Sequence, residues 1–250
     1  IMAAETLTLH LMPGLDLRSI YSYDNTTVKD HIYYSANHYK GSADNGNVNE
    51  YRTTYEKMVT STTANYTGTF DKHTVGTMVG FEAEKNKTDY VRATGSNLAV
   101  STIHTVSTAG TQTSAGYSWG NSMVSVLSKL DYNYDERYFI SGSYRRDGSS
   151  AFSYTGNQWQ NFYSVGLGWL MSEEAWMKDI TWLDMLKLKG SWGTLGNQNL
   201  DRAYPAEPLL TNAYSAVFGT PSAIYPGYQL AYLPNPKLRW EKVEAWEAGA

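Results

Sequence analysis

The spacing of turns and loops most constrains how this chain folds. Nine segments alternate apolar and polar residues with the two-residue period of a β-strand, near residues 7–11, 15–23, 59–70, 75–83, 124–134, 138–145, 163–171, 186–192 and from about 238. The links between them alternate in length, short near 12–14, 71–72, 135–137 and 172–185, and long and polar over 24–57, 86–119, 149–158 and 196–236. Successive links of an up-and-down sheet lie at opposite ends of the sheet. We therefore expect the short turns at one end, called the trimmed end below, and the long loops at the other.

Each predicted strand has one apolar and one polar face. Val165 and Leu167 oppose Ser164 and Gly166, for example. This pattern suits a membrane β-barrel with lipid outside and a wet lumen inside, and also a soluble β-sandwich. The regular alternation of loop length favours the barrel, and aromatic residues near the strand ends would form its interfacial girdle.

The link 172–185 is longer than the other short links, and we predict a short helix there. Ser172 is a plausible N-cap, and Glu173 and Glu174 place acidic side chains in the first turn.

The composition excludes several classes of protein. The chain has no cysteine, so it has no disulfide, thiolate zinc site or cysteine nucleophile. A net charge of −4 without a basic stripe argues against nucleic-acid binding. Charged residues are 18% and aromatic residues 14% of the chain, against roughly 25% charged residues in soluble globular proteins. No apolar run is long enough for a transmembrane helix.

Several long motifs carry a family resemblance over roughly residues 60–250. They are TANYTGTFDKH at 63–73, LDYNY at 130–134, SYRRDGSS at 143–150, SVGLGW at 164–169, LKLKGSWGTLGNQ at 186–198 and NPKLRWE at 235–241. In this order they resemble SusC/RagA-type TonB-dependent outer-membrane transporters.

The resemblance implies a bacterial outer-membrane nutrient importer that takes up glycan or peptide fragments. It implies a barrel of about 22 strands, a SusD-like surface lipoprotein as partner, and energy from TonB through a plug. It implies no enzymatic chemistry, cofactor or metal. Nine strands are too few to close such a barrel, so we expect residues 1–250 to be part of the barrel domain, with the plug and remaining strands outside this chain.

Candidate substrate-binding residues lie on the polar strand face and in the long loop 196–236. Arg145 and Asp147 offer charges to a hydroxylated substrate or a partner, although Arg145 can equally pair with acids on neighbouring strands. The aromatic candidates, which could stack on sugar faces or simply pack the loop, are Tyr204, Tyr214, Tyr225 and Tyr228.

Other motifs have simpler explanations. Residues 116–120 spell G-x-S-x-G, but a hydrolase elbow needs a strand before the serine and a helix after it, and every histidine precedes Ser118. Residues 42–50 lack the alternate carboxylates of a calcium loop, and His31 and His38 are unsupported as metal ligands. The alternative to a transporter is a secreted β-sandwich glycan-binding module or adhesin.

Overall fold

The computed structural model describes residues 1–178, 180, 182–200, 204–219 and 223–250. Nine strands form one antiparallel sheet in the order β1-β2-β3-β4-β5-β6-β7-β8-β11, and β9 and β10 form a separate hairpin. The strands are β1 (Met2–Met12), β2 (Leu15–Tyr34), β3 (Asn47–Phe70), β4 (His73–Leu98), β5 (Ala109–Tyr134), β6 (Tyr138–Ser149), β7 (Trp159–Leu170), β8 (Lys187–Asn197), β9 (Leu210–Phe218), β10 (Ala223–Leu230) and β11 (Glu241–Gly249). All nine predicted strands are present, and eight of them follow their chain neighbours directly in the sheet.

The strands β2 to β5 are longer than the sequence predicts. They continue through most of the predicted loops 24–57 and 86–119, so only 35–46 and 99–108 remain as connections. Polar side chains pair across these extensions, as Thr27 and Thr54 do with their hydroxyl oxygens 3.2 Å apart. Because both faces are polar there, the apolar alternation that identifies a strand disappears.

The predicted helix at 172–185 is wrong. Among the described residues there is no α-helix, and this link has only a 3₁₀ turn at Met171–Glu173. Ser172 makes no capping bond there, because the residue before the turn is Leu170. Glu174 instead accepts hydrogen bonds from Tyr138 and Trp169, which hold it against the strand ends.

The last strand and the loop before it also differ from the prediction. The final strand begins at Glu241 rather than near residue 238, and the loop contains the hairpin β9–β10. Trp240 is 7% exposed and packs against Phe152 and Phe162. Because this residue is held in the buried cluster, pairing with β8 begins only at the next residue.

The sheet divides into two compact units. Unit 1 consists of Ile1–Thr6, Ile20–Thr60 and Glu84–Asn121, and unit 2 of Leu7–Ser19, Ser61–Ala83 and Ser122–Ala250. Unit 1 has a small core of Val48, Leu98 and Ala109, and unit 2 has a core of Ala151, Phe152, Phe162 and Trp240. Both cores lie where strands meet loops.

The apolar strand face of unit 2 is open to the surroundings. Val126, Val165 and Leu167 are 49%, 48% and 58% exposed. A soluble sandwich would cover these side chains with a second sheet, since burying apolar surface is what stabilises it.

Two turns show how local sequence defines the trimmed end. Gly14 has φ +79° after Pro13, and a Cβ there would lie 2.1 Å from the Thr67 carbonyl oxygen, so only glycine fits. Asp135 and Glu136 both have positive φ, and the Arg137 amide donates to the Tyr134 carbonyl oxygen across them at 3.0 Å, as in a β-turn of primed type, within a three-residue connection between the paired Tyr134 and Tyr138.

Candidate functional site

The register of β5 to β8 places the polar side chains of unit 2 on one face. Ser125 pairs with Asp147 between β5 and β6, and Gly166 pairs with Ser191 between β7 and β8. The residues that alternate with them along each strand carry the apolar side chains, so the predicted division of each strand into a polar and an apolar face is present in the structure.

Arg145 is the centre of a charged network on this polar face. Its Nε donates to Asp147 Oδ1 at 2.7 Å, and one terminal nitrogen donates to Glu82 at 3.2 Å and to Ser125 at 2.9 Å. Asp147 is 7% exposed. A carboxylate this well covered needs a paired cation, because an isolated charge is costly to bury. Arg145 therefore pairs with Asp147 on its own strand and with Glu82 on β4, two strands away, while its contact on the adjacent strand β5 is the Ser125 hydroxyl.

A groove of about 1020 Å³, lined by both polar and apolar side chains, opens beside this network. Its floor is small and polar, with Ser164 and Gly193 leaving space above the sheet, and its outer end is lined by Asn197 and Gln198. The Asn197 side-chain amide nitrogen already donates a hydrogen bond to Glu241 at 3.0 Å. The Gln198 amide oxygen is buried without a hydrogen-bond partner. The groove thus offers hydrogen-bonding groups and space for a polar solute.

The aromatic candidates whose side chains the structure describes, Tyr204, Tyr225 and Tyr228, do not line this groove. Tyr204 contacts Ser150 through its hydroxyl group at 3.2 Å, and its carbonyl oxygen accepts a bond from Tyr232. Tyr225 and Tyr228 lie on β10 and are 52% and 72% exposed. Tyr214 belongs to β9, but its side chain lies outside the described residues.

The loops beside the groove are anchored by a buried cluster. Phe152 is fully buried, with its ring centroid 5.2 Å from that of Trp240, and Phe162 packs edge-on against the same indole. Trp240 also donates to the carbonyl oxygen of Gln158 at 3.1 Å. Sequence analysis missed this cluster, because nothing local links residues 82 positions apart.

Three turns at the trimmed end are linked by ion pairs. Arg137 contacts both Asp135 and Glu174, and Lys72 Nζ lies 3.2 Å from Asp135. The hydrogen bond from Arg137, with a second from Lys72, lowers the pKa of Asp135, and the hydrogen bond from Tyr138 lowers the pKa of Glu174. Opposite charges and donors beside a carboxylate favour its ionised form. This end of unit 2 is held by polar contacts between successive turns.

In the part of the chain that the structure describes, the G-x-S-x-G sequence, His31 and the 42–50 segment take part in strand pairing and loop contacts. Residues 116–120 lie within β5, without the strand–turn–helix context of a nucleophile elbow. His31 contacts Glu50 on the next strand, and Asp44 in the 42–50 loop accepts from Asn47. Among the described residues, no three His, Asp or Glu side chains are grouped to hold a metal. No helix in the described ranges is long and apolar enough to cross a membrane.

Residues 5–250 match the family of TonB dependent receptor-like β-barrels. The chain belongs to this family. Its members are outer-membrane β-barrels, and the nine-stranded antiparallel sheet is part of such a barrel. The fold class expected from strand alternation and loop length is therefore confirmed.

Curated relatives agree with the family assignment. The chain is 38% identical over 136 residues to TonB-dependent receptor SusC of Bacteroides thetaiotaomicron, covering 53% of this chain and 13% of that protein. It is 28% identical over 200 residues to TonB-dependent receptor P39 of Formosa agariphila, covering 78% of this chain and 19% of that protein. The chain therefore spans less than a fifth of the length of either relative, and the resemblance to SusC/RagA-type proteins is confirmed.

Solved structures show the same fold. The RagAB peptide importer in the open-open state superposes with a TM-score of 0.85 at 23% identity, over 99% of this chain and 27% of that one. A second structure of the RagAB peptide transporter gives a TM-score of 0.83 at 23% identity, over 96% and 26%.

Proposed function

We propose that residues 1–250 form part of the barrel wall of an outer-membrane nutrient importer. The observation that carries this proposal is the pair of strand faces in unit 2, of which one is exposed and apolar and the other carries small polar and paired charged side chains. Lipid suits the first face and a water-filled lumen the second. The family assignment supports the same arrangement.

The ends of the strands suggest an orientation. Barrels of the outer membrane have short periplasmic turns and long extracellular loops. We therefore propose that the turns at 12–14, 71–72 and 135–137 face the periplasm. The hairpin β9–β10 would then lie on the cell surface with the other long connections.

The proposed partners are a SusD-like surface lipoprotein, which would deliver cargo, and TonB, which would act through a plug outside this chain. The similarity to TonB-dependent receptor SusC and to the RagAB peptide importer supports both. The cargo we propose is a glycan or peptide fragment, moved without covalent chemistry.

Arg145 and Asp147 would shape the groove wall rather than hold cargo by free charge, because their charges are already paired with each other. Tyr225 and Tyr228 stay as surface candidates, since both are exposed on β10. The secreted β-sandwich is disfavoured by the open apolar face of unit 2.

One matched pair of variants tests the membrane proposal. Val165→Lys places a charge in the middle of the apolar face, and Ser191→Lys places the same charge on the polar face of the neighbouring strand, where Ser191 is also exposed. We expect Val165→Lys to lower the urea stability of the outer-membrane protein by about 2–4 kcal/mol. Ser191→Lys should change it little. Equal, small effects from both variants would contradict a lipid-facing surface, as would recovery of the wild type in the soluble fraction.

A further inference from the structure

Stacked tyrosines run across three neighbouring strands of unit 1. The Tyr90 and Tyr117 ring centroids are 4.8 Å apart with nearly parallel planes, and Tyr51 lies 6.4 Å from Tyr90 on the other side. The three residues come from β3, β4 and β5, which are adjacent in the sheet. Sequence analysis placed all three in loops, so it assigned them no common surface.

Polar side chains continue the same face. Lys57 on β3 and Glu84 on β4 form an ion pair of 2.9 Å. Asn86 on β4 donates to Glu84 at 2.7 Å and to Asn121 on β5 at 3.0 Å. Because side chains on one face recur every second residue, Glu84, Asn86 and Tyr90 share a face of β4.

Two more aromatic residues join this face by the same alternation. Tyr55 lies between Tyr51 and Lys57 on β3, and Trp119 lies between Tyr117 and Asn121 on β5. Tyr117, Tyr55 and Trp119 are 57%, 49% and 43% exposed. Tyr117 and Trp119, two residues apart on one strand, are separated by roughly 7 Å. The exposed rings and the amide and charged groups beside them are called the aromatic platform below.

We infer that the aromatic platform is a binding site for the pyranose rings of an oligosaccharide. An aromatic ring has a negative face, which attracts the weakly positive C–H groups on one side of a sugar ring. The hydroxyl groups around a sugar need donors and acceptors, which Asn86, Asn121, Lys57 and Glu84 supply at the edge of the rings.

The packing of the platform favours a preformed site. Tyr90 is partly buried and stacks on Tyr117, and the partly buried Tyr51 packs against Tyr90 in turn, so the Tyr117 ring is held in place without further ordering of the side chain. Rigid aromatic contacts are gained at a small cost in conformational entropy. A peptide would bind here less well, because the strands' backbone groups are already paired within the sheet and leave no edge for strand addition.

This inference rests on the proposed function, since the sugar would be imported cargo. Its test uses the full-length protein as encoded in its genome, purified from outer membranes in detergent. Calorimetric titration with a panel of α- and β-linked gluco-, manno- and xylo-oligosaccharides identifies a ligand, and an unstructured oligopeptide mixture is titrated in parallel.

We expect Tyr117→Ala and Trp119→Ala each to weaken oligosaccharide binding about tenfold, which corresponds to about 1.4 kcal/mol. Tyr117→Phe keeps the ring and should bind within about twofold of wild type. Tyr39→Ala removes an even more exposed tyrosine (76% exposed) from the 35–46 connection and should leave binding unchanged. Folding of each variant is checked by its heat-dependent mobility on a gel.

Three results would each overturn the inference. The first is oligosaccharide binding that does not depend on Tyr117 or Trp119, and the second is no binding of any sugar in the panel. The third is peptide binding that Tyr117→Ala abolishes. These results would leave the importer proposal standing. That proposal fails separately if Val165→Lys lowers the urea stability no more than Ser191→Lys does.

Discussion

Replacing Phe152 by alanine is expected to release the loops beside the groove of unit 2. Phe152 is fully buried, and it supports Trp240 at a ring separation of 5.2 Å. Truncating a buried phenylalanine costs about 3–5 kcal/mol, from lost transfer free energy and the cavity that remains. We expect this loss of stability to affect the buried cluster that joins the loops and not the sheet, because the backbone hydrogen bonds of the sheet do not involve the Phe152 side chain.

The magnitude predicts a large change in loop opening. Since about 1.4 kcal/mol changes a population tenfold, a loss of 3 kcal/mol raises the open fraction at least about 100-fold. Lys237 and Arg239 lie beside Trp240 and are exposed, which gives trypsin two sites that become fully accessible when the cluster opens. Cleavage follows the open population when reclosing is faster than cutting.

The assay is limited trypsin digestion of outer-membrane vesicles, with cleavage sites read by mass spectrometry. Ser153→Ala, a change at the adjacent exposed residue, is the matched control and should leave the cleavage rate unchanged. If Phe152→Ala is cut at the same rate as wild type between residues 231 and 240, the cluster does not anchor this loop and the reasoning is refuted.

Two further perturbations test the charged groups. Arg145→Met leaves Glu82 and the buried Asp147 facing each other without a cation, so we expect the urea stability to fall by about 1–3 kcal/mol, reduced from the fully buried case because Arg145 is partly exposed. An unchanged urea midpoint would contradict this. Asp135 has a lowered pKa beside Arg137, so its contribution is complete above the unfolded carboxyl pKa and disappears as pH falls through the folded value. Asp135→Asn should therefore lower Tm at pH 7 but not at pH 2, and an equal difference at both pH values would count against the ion pair.

The trimmed end and the faces of the strands could be predicted because they depend on neighbouring residues. Pro13 and Gly14 define one turn, and Asp135 and Glu136 define another, through backbone dihedrals that few residues adopt. Alternation along a strand similarly predicted that Val165 would lie on the opposite strand face from Ser164 and Gly166.

Contacts between distant residues could not be predicted in this way. Arg145 was predicted to be either a ligand contact or an ion-pair partner, and only the structure shows Glu82, 63 positions away, beside it. The tyrosines of β3 to β5 were hidden because a strand with two polar faces has no apolar period.

The sequence by itself determined where the nine strands of the main sheet lie, but not the full length of β2 to β5 or the hairpin β9–β10, and it determined where the tight turns lie, which strand face is apolar and which family the motifs resemble. These properties follow from residues within a few positions of one another. The tertiary structure decided which side chains meet across strands, including the partners of Arg145, the packing of Phe152 under Trp240 and the tyrosine stack of unit 1. Such side-chain contacts depend on the registers and lengths of paired strands, which are set by hydrogen bonding between residues far apart in the sequence.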